Sequence, residues 1–371
     1  MEKIGIGIVG FGFIGRVHAL AFSSAPYCYH DLPYFPEIRG IATSRPETAQ
    51  KVKEETGVAF ATSSFSELIA QEGIDIVVVA LPNALHRKVV EEAARAKKAI
   101  YCDKPLSSNL EGARVIERVV KEENVPLGVV FQNRFVPALW RAKELIQEGF
   151  LGEILRFRAL YLHSSYLDVE RPLTWRLDQH LSGGGALLDL GSHLVDLLFY
   201  LGGEEPRLKA SWGRTFIPER KGKEIKVDDW SVVLFDLAGG GEGSIESSRI
   251  STGSADELRL EIEGKKGAIR YNSMQPNYLE VYDLRDKVSP LGGERGFKAL
   301  ECISQFSSPF ALPGKFPVGW INAHMACAHD FLLRLAGREA RGATLEDGMK
   351  VQRFIEGAYN SMIRGLRVPS F

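Results

Sequence analysis

Lys3-Ile4-Gly5-Ile6-Gly7-Ile8-Val9 runs directly into Gly10-Phe11-Gly12-Phe13-Ile14-Gly15. The first stretch is a short β-rich run, and Phe13 to Ser23 has helical character, so the glycines occupy a strand-to-helix turn. The first glycine permits a tight turn, the second lets backbone approach a pyrophosphate, and the third allows close helix–strand packing. The N–H groups and dipole at the helix N-terminus favour the anion. Gly10, Gly12, Phe13, Ile14 and Gly15 are therefore the expected phosphate contacts of a dinucleotide.

The pattern around this turn repeats. Arg39 to Ala42 reads as a second strand and Pro46 to Thr56 as a polar helix ended by Gly57. Asp75 to Leu81 is the continuous apolar run of a strand buried on both faces. Helix Arg87 to Ala96, strand Ala99 to Cys102, helix Leu110 to Glu123 and strand Leu127 to Phe131 follow. Alternation of this kind implies right-handed βαβ crossovers and a doubly wound parallel sheet, an α/β domain over residues 1–131. Residues 132–371 read differently. After a helix near Leu139 to Glu148 come Ile154 to His163, Leu208 to Phe216, Ser231 to Leu237, Gly243 to Ile250, Leu258 to Glu263 and Ala268 to Asn272. Short Gly- or charge-rich turns favour antiparallel neighbours and an α+β domain. Helices at His324 to Ala336 and Leu345 to Ile363 close the chain and are expected to return toward the first domain. Ser273 to Val318 reads as an irregular excursion, and Pro26 to Glu37 lengthens the connection to the second strand.

Composition narrows the function classes. The 371 residues carry 46 Lys plus Arg against 47 Asp plus Glu, a formal net charge of −1. That balance excludes a general polyanion binder, so no nucleic-acid partner is expected. Pure apolar stretches such as Ile76 to Leu81 are strand-sized, whereas a membrane helix needs about 20 residues. Four cysteines without a CxxC pair read as free thiols. The expectation is a cytoplasmic protein without a membrane partner.

Several further residues can carry chemistry. The second strand ends Ile41-Ala42-Thr43-Ser44-Arg45-Pro46-Glu47, with no carboxylate for an adenosine ribose. Thr43, Ser44 and Arg45 can donate to a 2′-phosphate, which favours NADP over NAD; Ser44-x-x-Glu47 is also a capping box for the next helix. Leu81-Pro82-Asn83-Ala84-Leu85-His86 follows the buried strand, at the carboxyl edge that lines a ligand crevice. Asn83 can meet ribose or amide groups, and His86 is expected to cap or pack the following helix. Asp103-Lys104-Pro105 ends another strand, and Lys104 can hydrogen-bond a substrate hydroxyl in either charge state. Gly183-Gly184-Gly185 permits close backbone approach to a ligand. Asp189 and His193 then stand i, i+4 on one helical face. An imidazole titrating near about 6.5 suits proton exchange with an alcohol. Asp189, His193 and Asp196 are plausible metal ligands, but hydride transfer to nicotinamide needs no metal, and none is expected. His324, Cys327 and His329 do not share a helical face and read as packing.

These motifs resemble, in order and over nearly the whole chain, those of the glucose–fructose oxidoreductase, inositol dehydrogenase and rhizopine-catabolism (Gfo/Idh/MocA) oxidoreductases. The resemblance rests on Gly10 to Gly15 followed by His18, Leu81 to His86, Asp103-Lys104-Pro105 and Gln132-Asn133-Arg134-Phe135. It extends through Gly149-x-Leu151-Gly152-Glu153-Ile154, Trp175-Arg176, Gly183 to Asp196 and Leu345-Glu346-Asp347-Gly348. It implies an N-terminal Rossmann domain and a C-terminal α/β domain with a large, open, mostly antiparallel sheet, through which relatives pair as dimers or tetramers. It also implies a sugar, cyclitol or sugar-derivative substrate. Lys104 matches the family's catalytic lysine, Asp189 its acid and His193 its general acid/base. Trp175, Arg176 and Asn133 match cofactor contacts. The usual Glu-Lys-Pro is Asp103-Lys104-Pro105 here, one methylene shorter.

The expectation is an NAD(P)-dependent sugar or polyol dehydrogenase. His193 takes the hydroxyl proton, Lys104 stabilises the developing alkoxide and Asp189 orients His193. Tyr161, His163, Tyr166 and Asp168 are candidates for reading substrate hydroxyls. The alternatives are a nicotinamide-dependent glycosidase on the same scaffold and a non-catalytic cofactor or sugar binder.

Overall fold

The computed structural model describes residues 1–203, 205–303 and 317–363. Two compact units divide them: Met1–Phe135 with Gly319–Gln352, and, among the described residues, 136–303 with 317–318 and 353–363.

In the first unit, β1 (Glu2–Val9) leads into α1 (Phe13–Cys28), followed by β2 (Tyr34–Ala42), α2 (Pro46–Thr56), β3 (Phe60–Thr62) and α3 (Phe65–Ile69). Then come β4 (Ile76–Val79), α4 (Asn83–Arg95), β5 (Ala99–Asp103), α5 (Leu110–Glu123), β6 (Leu127–Val130) and a 3-10 turn at Gln132–Phe135. The strands β1 to β6 pair in parallel in the order β6-β5-β4-β1-β2-β3. Chain direction across the sheet reverses beside β1, the switch point at which such sheets bind ligands. In β4, Ile76, Val77, Val78 and Val79 are all fully buried, as in a strand covered on both faces.

The second unit starts with α6 (Pro137–Gln147), β7 (Ile154–Leu162), a 3-10 turn at Trp175–Leu177 and α7 (Gln179–Ser182). A π-helical turn (Leu187–Gly191) then opens α8 (Ser192–Gly202). Next are β8 (Arg207–Arg214), a small hairpin of β9 (Glu219–Arg220) and β10 (Lys223–Glu224), β11 (Trp230–Asp236), β12 (Glu242–Ser248), β13 (Glu257–Gly264) and β14 (Gly267–Asn272). β15 (Tyr278–Asp283) and β16 (Lys298–Glu301) complete an eight-stranded sheet in the order β16-β15-β14-β13-β7-β12-β11-β8. Only the β12–β7 pairing is parallel within it. Phe157, Phe235, Ile245, Leu260, Ile262 and Ile269 fill its inner face. Its outer face carries a charge ladder that includes Arg158–Glu261 at 3.5 Å and Arg156–Glu263 at 3.7 Å.

The chain returns to the first unit as α9 (Trp320–Leu335) and β17 (Ala343–Thr344), which adds an antiparallel edge to β6. α10 (Leu345–Ile363) belongs to the first unit up to Gln352 and to the second from Arg353. Among helical runs, Gln179–Gly202 is long and apolar enough to span a membrane, but 83% of its apolar window is buried in the protein, as in a core helix.

Several elements differ from expectation. The segment Pro26 to Glu37 is mostly regular: α1 runs on to Cys28, anchored by buried Phe22, Ala25 and Cys28, and β2 begins at Tyr34. β3, α3 and β17 were not expected, being only 2 to 5 residues long. The excursion after Ser273 contains β15, whose alternating exposed and buried residues are a strand signature, and β16; residues 304–316 lie outside the described residues. Ser44 does not cap α2. Pro46 occupies the first turn, the preceding Arg45 is extended at φ −146° and ψ 144°, and Arg45 is the N-cap without a side-chain bond.

Candidate active site

The residues flagged in the first unit lie at the carboxyl ends of β1, β2, β4, β5 and β6, one edge of one parallel sheet. The three glycines divide their tasks. Gly10 has φ +93°, and a Cβ there would sit 2.2 Å from the Ala80 carbonyl oxygen. A Cβ on Gly15 would lie 2.1 Å from the Gly10 carbonyl oxygen, whereas one on Gly12 would meet no heavy atom within 4 Å. Two glycines thus close the turn and the middle one leaves space over the N-terminus of α1. At the end of β6, Asn133 is 9% exposed and its Nδ2 has no hydrogen-bond partner among the described residues. An orphaned buried donor costs about 1–3 kcal/mol unless a ligand accepts from it. The open Gly12 and the orphaned Asn133 fit a dinucleotide laid across this edge. Thr43 closes a short turn onto the Arg45 carbonyl, 3.0 Å away, and Ser44 and Arg45 are exposed.

Buried polar ties shape the remaining loops. His86 is fully buried, with Nδ1 3.1 Å from the Pro105 carbonyl oxygen and Nε2 2.9 Å from that of Leu81. Burial pushes its pKa down. It ties the loop after β4 to the loop after β5, so both ring nitrogens face backbone and its role is positioning. Asn83, the first residue of α4, is also buried. Arg134 donates to Asp347 at 3.2 Å, and Asp347 also accepts from the Thr344 N–H at 2.9 Å. Burial alone would raise the Asp347 pKa, but Arg134 and Thr344 hold it down. This tie fixes the 3-10 turn that presents Asn133. Lys104 is half-buried and precedes a cis peptide bond to Pro105. Asp103 stands 3.8 Å from His18 Nε2, beyond hydrogen-bond range. Burial raises its pKa, yet His18 and Lys104 bring it below the ordinary value.

In the second unit, Asp189 lies in the π-helical turn and His193 one turn on, in α8. π turns are rare and concentrate at functional sites. Arg249, buried beyond the end of β12, donates to Asp189 at 2.9 Å, and Arg176 Nε lies 3.7 Å from the same oxygen. Burial disfavours the Arg249 charge, but Asp189, Tyr166 and Asp228 more than restore it. Asp189 is therefore held between two arginines. The His193 ring meets Tyr161 edge-on at 5.7 Å, and Tyr161 meets His163 at 5.2 Å. His163 pairs with Asp256 at 2.8 Å. Desolvation works against the Asp256 charge, but His163 and Tyr161 outweigh it and lower the pKa. Trp175 lies under the Arg176 guanidinium at 4.5 Å. Tyr166 is buried with Leu177, Ile225 and Val227 under Arg249, and the Asp168 carbonyl accepts from Arg220 at 2.7 Å. Tyr166 is thus a packed side chain, while the exposed Asp168 carboxylate accepts from the Glu170 N–H at 2.9 Å.

The glycine triplet before Asp189 has a purpose other than ligand approach. A Cβ on Gly185 would lie 1.9 Å from the Asp228 carbonyl oxygen and one on Gly184 2.3 Å from the Tyr359 hydroxyl. The Asp228 carboxylate accepts from Gly185 N–H at 2.9 Å, Leu187 N–H at 2.8 Å and Tyr359 O–H at 2.7 Å. Asp228 thus anchors the start of the helix that carries Asp189 and His193. Sequence reasoning missed Asp228, Arg249, Asp256 and Tyr359, because each acts across tens of residues with no local motif. His324 lies against Trp320 and His18, while His329 stacks on Tyr29 at 3.9 Å and bonds Asp31. Both are packed side chains.

Comparison with known proteins places this geometry. A model described as an oxidoreductase family with an NAD-binding Rossmann fold matches residues 4–131, and a GFO/IDH/MocA C-terminal domain model matches residues 139–270. The chain belongs to the Gfo/Idh/MocA oxidoreductase family. It is 31% identical to levoglucosan dehydrogenase of Pseudarthrobacter phenanthrenivorans, over 95% of this chain and 94% of that protein. It is 29% identical to myo-inositol 2-dehydrogenase of Thermotoga maritima, over 80% of this chain and 81% of the relative. A solved levoglucosan dehydrogenase in complex with NADH and levoglucosan superposes with a TM-score of 0.92 at 30% identity, covering 98% of both chains. This Gfo/Idh/MocA member is thus an oxidoreductase whose relatives are sugar and cyclitol dehydrogenases.

Proposed function

We propose that this chain moves a hydride between a nicotinamide cofactor and a secondary alcohol or ketone of a sugar, cyclitol or sugar derivative. The carrying observation is that all the first-unit candidates converge on one carboxyl edge of one parallel sheet, where such sheets bind dinucleotides. Gly10, Gly12 and Gly15 would hold the pyrophosphate, and Asn83 and Asn133 the nicotinamide half. When bound there, the nicotinamide supplies the acceptor for the hydride. In this reading His193 takes the hydroxyl proton, Lys104 donates a hydrogen bond to the oxygen as it gains charge, and Asp189, fixed by Arg249, sets the imidazole's orientation and charge. Tyr161 and His163 read neighbouring hydroxyls.

NADP is the favoured cofactor in this proposal, because β2 ends without a carboxylate and Ser44 and Arg45 stand exposed beside it. An anhydrosugar or cyclitol is the first substrate class to try, after the relatives named above. The homo-oligomer contact would use the outer sheet face, where Trp212 and Leu234 are exposed. The free buried thiols accord with a cytoplasmic setting.

The test is direct. NADH and NADPH are titrated into the protein, and sugars, anhydrosugars and cyclitols are screened for formation of reduced nicotinamide. Tighter NADPH binding and turnover of at least one polyol are expected. Tight cofactor binding with no turnover across the panel would refute the catalytic reading, and release of an aglycone without net cofactor change would replace it with hydrolysis.

A further inference from the structure

Phe13 is the first helical residue of α1, next to the open Gly12, and its side chain is 73% exposed. Trp320, the first residue of α9, stacks on it with ring centroids 5.8 Å apart and planes 20° apart. His18 and His324 form a second ring pair at 5.8 Å, and Tyr29 and His329 a third. The first two pairs lie about one turn apart on both helices, and the third follows at Tyr29, just past the end of α1. The two helices therefore run in the same direction and begin level with each other. Yet the uppermost pair is not sealed: Trp320 keeps 38% exposure while its inner edge rests on His324 at 4.3 Å. Aromatic rings that merely joined two helices would be buried like the pairs below them, because each exposed square ångström of apolar surface costs about 25 cal/mol. Two stacked rings make a contiguous apolar surface with a polar indole handle, the kind of surface enriched where proteins bind partners.

We propose that Trp320 is a cofactor-contacting residue, with the indole and Phe13 forming a wall against the pyrophosphate and nicotinamide-ribose half of a bound NAD(P). The indole face gives ribose C–H groups a dispersion surface, and Nε1–H is a donor suited to a phosphate or hydroxyl oxygen. This rests on the dinucleotide reading of Gly10 to Gly15. It assigns to α9, which enters the first unit almost two hundred residues after β6, a part of the site that no glycine motif announces.

Tryptophan-excited emission of bound NADPH tests it, because energy transfer is strongest from the nearest indole. The protein, W320F, W320A and the control W212F, whose indole lies on β8, are each titrated with NADPH and NADH. W320F should lose a larger share of transferred emission than W212F with little change in affinity. W320A should bind about three- to tenfold more weakly, the range for one lost aromatic contact. Unchanged emission in W320F together with unchanged affinity in W320A would overturn the assignment. Should W320A fail to fold by circular dichroism, the emission of W320F decides alone. A parent protein that binds neither nucleotide would instead overturn the dinucleotide reading, a separate result.

Discussion

The candidate residues of the two units are held by different physics. In the first unit each flagged loop follows its own strand and is announced by a short motif: Gly10 and Gly15 close the turn against the Ala80 and Gly10 carbonyls, although the turn carrying Asn133 also leans on Asp347. In the second unit the key helix is held from far away. Asp228 is 41 residues from Leu187, Arg249 is 60 from Asp189 and Tyr359 is 131 from Asp228. The contrast teaches that a glycine turn is legible as a motif, whereas the setting of Asp189 and His193 is assembled by tertiary contacts.

The contrast is broken most sharply by His193→Ala. If the second unit supplies chemistry and the first supplies cofactor binding, turnover should fall about 10²–10⁴-fold, the usual worth of a general base. NADPH affinity should stay unchanged by fluorescence titration. A parallel loss of cofactor affinity would show that the division of labour is wrong.

Asp228→Ala sharpens it next. Removing this carboxylate strands two buried backbone N–H groups and the Tyr359 hydroxyl. Stability should drop by about 3 kcal/mol, since each stranded donor loses a charge-assisted bond. The urea midpoint reads this. Tyr359→Phe, which keeps the carboxylate, should cost about 1 kcal/mol. Equal losses would mean that the anchor is the tyrosine ring and not the carboxylate.

These same residues explain what the sequence made legible. The sheet of the first unit could be read because period, turn glycines and buried runs such as Ile76 to Val79 are encoded within a few residues. Lys104, Asp189 and His193 were singled out as candidates through their motifs. Asp228 and Arg249 were not, because an acid beside an acid at Asp228-Asp229 and an arginine beyond a strand end look like solvated surface until their partners are folded onto them. The glycine triplet was misread for the same reason: close approach was inferred correctly, but the approaching group is Asp228 and Tyr359. β15 was overlooked inside a Pro- and Gly-rich stretch although its alternation was present.

Within the first unit, a pair of glycine substitutions separates folding from binding. Gly10→Ala places a Cβ 2.2 Å from a carbonyl oxygen at positive φ and should cost about 1–3 kcal/mol in chemical denaturation. Gly12→Ala has open space at φ −75° and should leave stability within about 0.5 kcal/mol. The same methyl group should still weaken NADPH binding if the pyrophosphate takes that space, as proposed. Retained affinity in Gly12→Ala would place the phosphates elsewhere.

The smallest effect is electrostatic. Burial is the main cause that pushes the His324 pKa down to about 3, with nearby His18 also lowering it and Asp103 opposing. An unfolded histidine titrates near about 6.5. Below that pH the unfolded chain binds a proton that the folded chain refuses, so stability is full above about pH 6.5 and falls as the pH drops toward the folded value. Between about pH 6 and pH 5 this group alone should remove about 1 kcal/mol. Asp103, Asp256 and Asp347, whose pKa values are lowered, also lose stabilisation in acid, so the parent curve mixes several groups. The informative quantity is the difference between the parent protein and His324→Leu, measured as urea midpoints at both pH values. The variant should lose less stability than the parent over that interval. An identical loss would mean that His324 is protonated at no cost to the fold, and that the ring pairs along α1 and α9 are open enough to hydrate an imidazolium.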